Sequence, residues 1–243
     1  MVRLELAMST RTIFVSGANQ GLGFHTVHQL SVTPNTLVFL GSRNFAAAAD
    51  AISKFSAEIH ASSKVVPIQL DVTDDASIEA AKAAVSQTLQ ENNLIGLDVL
   101  INNAAVSVGG FQNIYAVNVV GAAALTTALR PLMNPNGSIL NITSKLGSHS
   151  WHAERPPPPL YPAYSSSKSA LNALTQIWAI EEEQKNSGIR VASICPGLNA
   201  TNLNKSDARG GHPSEGCKVI VKAALEKGGA SGVCFNKEGP IEW

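Results

Sequence analysis

Short, continuous apolar runs alternate with helical segments along nearly the whole chain, and this alternation constrains the fold more than any other feature. The runs lie at residues 12–16, 37–40, 65–70, 98–101, 138–144, 189–195 and 232–235. Between them, residues 24–30, 46–59, 76–90, 111–129, 161–185 and 214–227 carry helical periodicity or helix-forming composition. A strand that is apolar on both sides must be covered on both faces. Strands joined through helices are parallel neighbours with right-handed crossovers. The expectation is an α/β fold: a single Rossmann-type, doubly wound parallel sheet of about seven strands with helices on both faces. Pro67 places the third run near a sheet edge or irregularity, because proline cannot donate to a ladder.

A single domain over residues 1–243 fits this pattern, since no internal repeat or interdomain linker interrupts it. With 44% hydrophobic and 15% charged residues the chain can bury a substantial core. Its 18 basic and 18 acidic residues cancel and form no basic stripe, which removes electrostatic support for a nucleic-acid or membrane partner. Cys195, Cys217 and Cys234 are odd in number and far apart. They offer neither zinc-ligand spacing nor a disulfide framework, so no metal is expected and a reducing, cytoplasmic setting fits best. The first residues lack signal-peptide character, and no apolar run approaches the ~18 residues of a membrane helix.

Several motifs fall where these strands end. The first run leads into Gly17-Ala-Asn19-Gln20-Gly21-Leu22-Gly23 and then a helix. Glycines there permit a tight turn and close approach of a pyrophosphate, which the helix N-terminus attracts. The second run ends in Ser42-Arg43-Asn44, without the carboxylate that would take the ribose hydroxyls of NAD. Arg43 instead suits a 2′-phosphate. Asp71-Val72 closes the third run, Asn102-Asn103-Ala104-Ala105 follows the fourth, and Asn118 sits inside an apolar helix where its amide needs a partner. Tyr164 and Lys168 stand four apart on one helix face. An ammonium beside a phenol lowers the phenol pKa, so this pair can exchange a proton with a substrate oxygen. Residues 147–162, with Trp151 and the prolines 156–159, read as a stiff, partly polyproline-like surface insertion in which Trp151 can line a pocket. Residues 202–213 read as a polar loop, Gly188 as the C′ residue of the long helix, and Ser214-Glu215 as the cap of the last one.

Together these motifs resemble the short-chain dehydrogenase/reductase family from residue 12 to 243. They are Ser16-Gly17-x3-Gly21-Leu22-Gly23, Asp71-Val72, Asn102-Asn103-Ala104, Asn118, Ser144, Tyr164-x3-Lys168 and Pro196-Gly197-x3-Thr201. The tail, Pro213-Ser-Glu-Gly-Cys217 and Gly232-Val-Cys-Phe235 onward, is similar to the carbonyl-reductase branch. The resemblance implies hydride transfer between NADPH, preferred over NADH, and a small carbonyl compound: a ketone, aldehyde or quinone. It implies Tyr164 as proton donor, Lys168 lowering the Tyr164 pKa and holding the nicotinamide ribose, Ser144 bonding the developing alkoxide, and Asn118 anchoring a water that leads to Lys168. It places the cofactor on the glycine loop, Ser42, Arg43, Asn44, Asp71, Val72, Asn103, Ala104, Ala105, Tyr164, Lys168, Pro196, Gly197, Asn199 and Thr201. The substrate falls to Ser144, Tyr164 and Trp151, with a short loop near 198–214, and a homodimer or homotetramer is allowed. Three departures flank the substrate region: Ala105 stands where the family has glycine, the stretch 103–118 is short, and the stretch 144–164 is long. The alternatives are a dinucleotide sensor that lost the chemistry, which has no reason to keep Ser144, Tyr164 and Lys168, and a non-redox enzyme reusing the site.

Overall fold

The computed structural model describes residues 10–154 and 161–243, so the first nine residues and the prolines 156–159 lie outside the described residues. Seven strands pair in parallel in the order β3-β2-β1-β4-β5-β6-β7. They are β1 (Arg11–Val15), β2 (Thr36–Ser42), β3 (Lys64–Gln69), β4 (Leu97–Asn102), β5 (Met133–Ile142), β6 (Arg190–Ile194) and β7 (Val233–Asn236). The order reverses between β1 and β4, and ligand crevices form beyond the strand ends at such a switch. Pro67 lies on edge strand β3, opposite Leu40, as its missing N–H requires.

Alternate residues of each strand point to opposite faces, and two cores result. Phe14, Phe39, Leu100, Ile139 and Val191 pack on one face. There they meet α3 (Asp75–Glu91), α5 (Ala122–Leu129) and α7 (Pro162–Gln184). Ile13, Val38, Val99, Leu140 and Ala192 pack on the other, against α1 (Gly21–Ser31), α2 (Phe45–Ser53) and α9 (Lys218–Leu225). All three cysteines are free and buried. Among the described residues no helix is long and apolar enough to cross a membrane.

The structure corrects the sequence reading at its short and capped elements. An eighth strand, β8 (Gly239–Ile241), runs antiparallel to β7. Three residues are too few to show a period, and the turn is set by Asn236, whose side chain accepts from the N–H groups of Glu238 and Gly239. Within the expected insertion loop, residues 149–154 form a helix, α6 (His149–Glu154), begun by Ser148, whose hydroxyl accepts from Trp151 N. The helix expected over 111–129 is α4 (Gly110–Tyr115), a π turn (Ala116–Gly121) and α5 in succession. The left-handed residue closing α7 is Asn186, not Gly188, with Ser187 N bonded back to Glu182 O. The last helical stretch breaks at Cys217 into α8 (Pro213–Gly216) and α9, and its cap is His212, whose ring accepts from Ser214 N.

A row of polar side chains crosses the otherwise apolar sheet. Asn102, Asn141 and Ser193 stand in register on β4, β5 and β6 and are almost fully buried. Asn102 Nδ2 donates to Thr126 on α5 and to Asn141 Oδ1, both at 2.8 Å. Asn141 Nδ2 donates to Thr175 Oγ1 on α7 at 2.8 Å, and Thr175 meets Ser193 at 2.8 Å. Buried amides without partners are costly, so this ladder ties α5, three strands and α7 into one register. Asn141→Leu removes both bonds of the central amide at nearly constant volume. Urea unfolding is expected to show a loss of about 2–3 kcal/mol. A loss below about 0.5 kcal/mol, the size of an ordinary surface change, would show the ladder to be incidental.

Candidate active site

The strand ends at the switch between β1 and β4 are laced together. Ser16 Oγ accepts from the backbone N–H of Asn103 and of Ala104, both at 3.0 Å. Asn103 Nδ2 donates to the carbonyls of Ser16 and Gly17 at 2.8 and 3.0 Å. Gly17 has a left-handed φ of 61°, and a Cβ there would meet Ala104 Cα at 2.7 Å, so only glycine fits. Ala105 is not among the positive-φ residues, so replacing the family glycine leaves no strain at that position.

The first turn of α1 is open to an anion. Gln20 is its N-cap but makes no side-chain cap bond, and the turn carries no acidic residue. Its unsatisfied N–H groups and the positive end of the helix dipole fit a pyrophosphate. Beside it Arg43 is exposed at the end of β2. Ser42 is buried, its hydroxyl turned inward to Asn44 O at 3.0 Å, and Asn44 caps α2 through Ala47 N. Asp71 accepts from Thr73 N and Thr73 Oγ1 at 2.9 and 2.7 Å. Burial pushes its carboxyl pKa up, but these two bonds and the charge of Arg43 outweigh it and leave the pKa lowered. Val72 is buried against the π turn, where Gly121 leaves no room for a Cβ.

Ser144 and the face of α7 bring together the residues expected to react. Ser144 caps the turn Lys145–Gly147 by accepting from Leu146 N at 3.2 Å, and its hydroxyl is close enough to the Tyr164 phenol to lower its pKa. Lys168 is buried, donates from Nζ to Ile142 O at 2.7 Å, and sits 5.7 Å from the Tyr164 ring centroid. Burial lowers the Lys168 pKa to about 8. The expected lowering of the Tyr164 pKa by Lys168 is not found. Burial and the neighbouring Cys195 raise that pKa, and only the Ser144 bond acts the other way. The physical reason is the order of titration: Lys168, lowered to about 8 by burial, is already neutral where the phenol loses its proton and lends no charge to the phenolate.

Asn118 lies in the π turn with its amide fully engaged. Nδ2 donates to Val106 O at 2.9 Å and to Ser167 Oγ at 3.0 Å, and Oδ1 accepts from Val106 N at 2.9 Å. It thereby holds the loop after β4 against α7, next to Lys168. Trp151 is half-buried in α6, with Lys145 Nζ 5.4 Å from its ring centroid and His152 packed edge-on. These contacts tie it to its own segment.

Residues following Pro196 and Gly197 form a self-bonded loop. Asn199 Nδ2 returns to Pro196 O and Gly197 O, Thr201 and Asn204 cap one another, and Ala200 N bonds Gly211 O. The loop is fastened on two sides: Asn202 Nδ2 donates to Gln20 Oε1 at 2.8 Å, and Ser107 Oγ donates to Leu203 O. Thr201 packs beside Gly21. Sequence reasoning missed Ser16 as an organiser, Ser107, Cys195 and Gly147. At Gly147 a Cβ would meet Lys168 Cβ at 2.9 Å, so α7 needs glycine there to approach. It missed as well that Ser148 and Ser150 bond the carbonyls of Glu242 and Trp243.

Comparisons with known proteins agree on one family. The sequence model of the family described as short chain dehydrogenase matches residues 11–210. The chain is 31% identical over 240 residues to short-chain dehydrogenase anuI of Penicillium roqueforti, covering 90% of each protein. It is 28% identical over 206 residues to the NADP-dependent 3-hydroxy acid dehydrogenase of Schizosaccharomyces pombe, covering 80% of this chain and 73% of that one. Among solved structures it is similar to the NADPH-bound carbonyl reductase from chicken fatty liver, with a TM-score of 0.82 at 26% identity, covering 97% of this chain and all of that one.

The raised Tyr164 pKa is open to direct titration. Ultraviolet difference spectra of the cofactor-free protein against Tyr164→Phe are expected to show no phenolate from this residue up to the ordinary tyrosine value of 10.0. A phenolate signature appearing between about pH 7 and 9 would contradict the burial argument.

Proposed function

The chain belongs to the short chain dehydrogenase family, and from that premise we propose that it is an NADPH-dependent reductase of small carbonyl compounds. One arrangement carries the reading: the Ser144 hydroxyl is close enough to the Tyr164 phenol to lower its pKa, and the buried ammonium of Lys168 lies 5.7 Å from the Tyr164 ring centroid. A bound nicotinamide dinucleotide supplies the hydride. The chain's own residues do the rest. Tyr164, kept protonated by burial, gives its proton to the carbonyl oxygen as charge develops there. Ser144 donates to the same oxygen and stabilises the alkoxide. Lys168 keeps a positive charge beneath both, fixed by Ile142 O. Asn118 holds the loop after β4 on α7 and so sets the floor of the site.

Cofactor choice falls to the end of β2. No carboxylate stands at Ser42 or Asn44 to repel a 2′-phosphate, and the exposed Arg43 offers a planar fork for its oxygens. The similar Schizosaccharomyces pombe dehydrogenase, NADP-dependent, and the similar chicken carbonyl reductase, NADPH-bound, support this choice.

The test is NADPH oxidation followed across a panel of ketones, aldehydes and quinones. Tyr164→Phe is expected to keep NADPH affinity and to lose turnover by about 100-fold or more, the contribution of a positioned acid. Turnover like that of the wild type would remove Tyr164 from the mechanism. Arg43→Ala is expected to cut the preference for NADPH over NADH by about tenfold, since charge-assisted bonds are worth ~1.5–3 kcal/mol before screening. An unchanged ratio would place Arg43 in solvent, away from the cofactor. The free-enzyme kcat/KM is expected to fall as pH rises through about 8, where Lys168 loses its proton. In Lys168→Arg, whose guanidinium stays charged, that fall should vanish.

A further inference from the structure

Three histidines gather where α1 meets the start of α8, at residues that no motif above includes. α1 carries His25 and His28 one turn apart, and His212 stands where the loop after β6 enters α8. The rings of His25 and His212 meet edge to face, with centroids 5.2 Å apart. Phe24 packs edge-on against His25 at 5.0 Å, and Phe55 stacks on His28 at 4.9 Å, so both α1 rings are held in place. His212 also caps α8: its Nδ1 accepts from Ser214 N at 3.3 Å and lies 2.7 Å from Ser214 Oγ.

This arrangement suits neutral rings. An imidazolium has two N–H groups and no acceptor, so protonating His212 takes the partner from Ser214 N. Protonating both rings sets two like charges against each other across the contact. Burial, then His212 and His28, hold the His25 pKa below its ordinary 6.5, and no carboxylate is among the groups that shift it. The carboxylates on the elements around α1 have basic partners of their own. Glu58, in the turn after α2, meets His28 Nε2 at 3.0 Å, and Asp50 on α2 meets Lys54 at 2.7 Å. Glu215 on α8 pairs with Lys218 at 2.6 Å, and Glu226, at the end of α9, with Lys222 at 3.8 Å. In the loop, Arg209 is forked onto Asp207, and Lys205 is exposed. β2 carries no charged residue, and β3 carries only Lys64.

The loop that begins at Leu198 is fastened at this place. Gly211, next to His212, closes the base of the loop on Leu198 and Ala200. The far side reaches the glycine loop, with Asn202 on Gln20 at 2.8 Å and Thr201 against Gly21. The Asn202–Gln20 and Ser107–Leu203 bonds are made by amides, a hydroxyl and a carbonyl, none of which titrates near neutral pH. The contact of His25 with His212 is the fastening that does. Gln29 Nε2 holds Ser214 O at 2.7 Å, so α8 stays on α1 when the histidine contact is lost.

We propose that His25 and His212 form a proton-sensitive latch: with both rings neutral the loop after β6 is closed against α1 and the glycine loop, and protonation of the pair releases it. The closed state binds these protons less firmly than the open one. Closure is therefore complete above the ordinary histidine value of 6.5 and is lost as the pH falls through the lower pKa of His25. A dinucleotide on the first turn of α1 is then less well covered in acid, a consequence that rests on the cofactor reading above.

Hydrogen exchange of the cofactor-free full chain reads the latch without any ligand. Corrected for the intrinsic rate, protection of the amides of the loop from Leu198 to His212 is expected to drop about tenfold between about pH 7.5 and 5.5, with β5 and α7 steady within about twofold. His212→Asn keeps a good N-cap and removes the charge, and His25→Phe keeps a ring and removes the charge. Each is expected to hold the protection of the loop within about twofold over the same span, while His60→Asn, at an exposed histidine elsewhere, behaves as the wild type. Wild-type protection that does not change with pH, or a drop that persists in full in both latch variants, would overturn the proposal. Calorimetry with NADP+ over the same span separates the latch from the cofactor reading. The 2′-phosphate takes up a proton near pH ~6 whichever variant is used, so the measure is the extra loss of affinity in the wild type over His212→Asn, expected to be about tenfold. No extra loss while the loop opens would overturn the consequence for the cofactor. If the loop opens in acid but NADP+ binds at neither pH, the latch stands and the dinucleotide reading falls. If NADP+ binds and the loop does not open, the latch falls and the dinucleotide reading stands.

Discussion

The position of α7 relative to β5 and β6 is the constraint on which the site depends. Three polar ties set it along the helix: Thr175 in the buried amide ladder, Lys168 on Ile142 O, and Ser167 on Asn118. None of them can be exchanged for water, so each tie is worth more than a surface bond and resists sliding of the helix. Tyr164 inherits its place from them, one turn above Lys168 and within reach of Ser144. Two close approaches complete the arrangement. Gly147 lets the turn after Ser144 touch α7, and Gly121 lets the π turn sit against Val72. The candidate catalytic residues thus sit on rigid elements, with loops around them.

A second lacing, independent of the first, shapes the dinucleotide side. Ser16 and Asn103 join the end of β1 to the end of β4 through four hydrogen bonds. The glycine loop is held from below and stays open above, where the uncapped first turn of α1 lies. The self-bonded loop after β6 then reaches across from Asn202 to Gln20. Ser107, through its bond to Leu203, fastens that loop to the segment after β4.

The parts legible in sequence were those with a repeating or clustered signal. Continuous apolar runs identified the parallel strands because burial on both faces leaves no other composition. Pro67 marked the edge because its missing N–H has one place to go. The glycine loop, Asn103, Ser144, Tyr164 and Lys168 could be located because each needs a residue type that its neighbours cannot replace. What could not be read was short or depended on contacts far along the chain. β8 has three residues and a turn made by Asn236, too little for any period. α6 owes its start to one hydroxyl, Ser148, in a stretch where prolines dominate the pattern. The reversal of the Tyr164 shift could not be foreseen, since spacing places Lys168 near the phenol but does not show how deeply the pair is buried. Asn141 in the midst of an apolar strand was a visible signal of the ladder. Its partners Asn102, Thr175 and Ser193 could be recognised only once the register was known.

Transfer of a labelled hydride tests the central claim most directly. With NADPH deuterated at the reactive nicotinamide carbon and a ketone as acceptor, the account predicts deuterium on the carbinol carbon of the alcohol, in one stereochemical configuration, with one label per NADPH consumed. NADPH bound but not oxidised, or oxidised with the label absent from the alcohol, would contradict it.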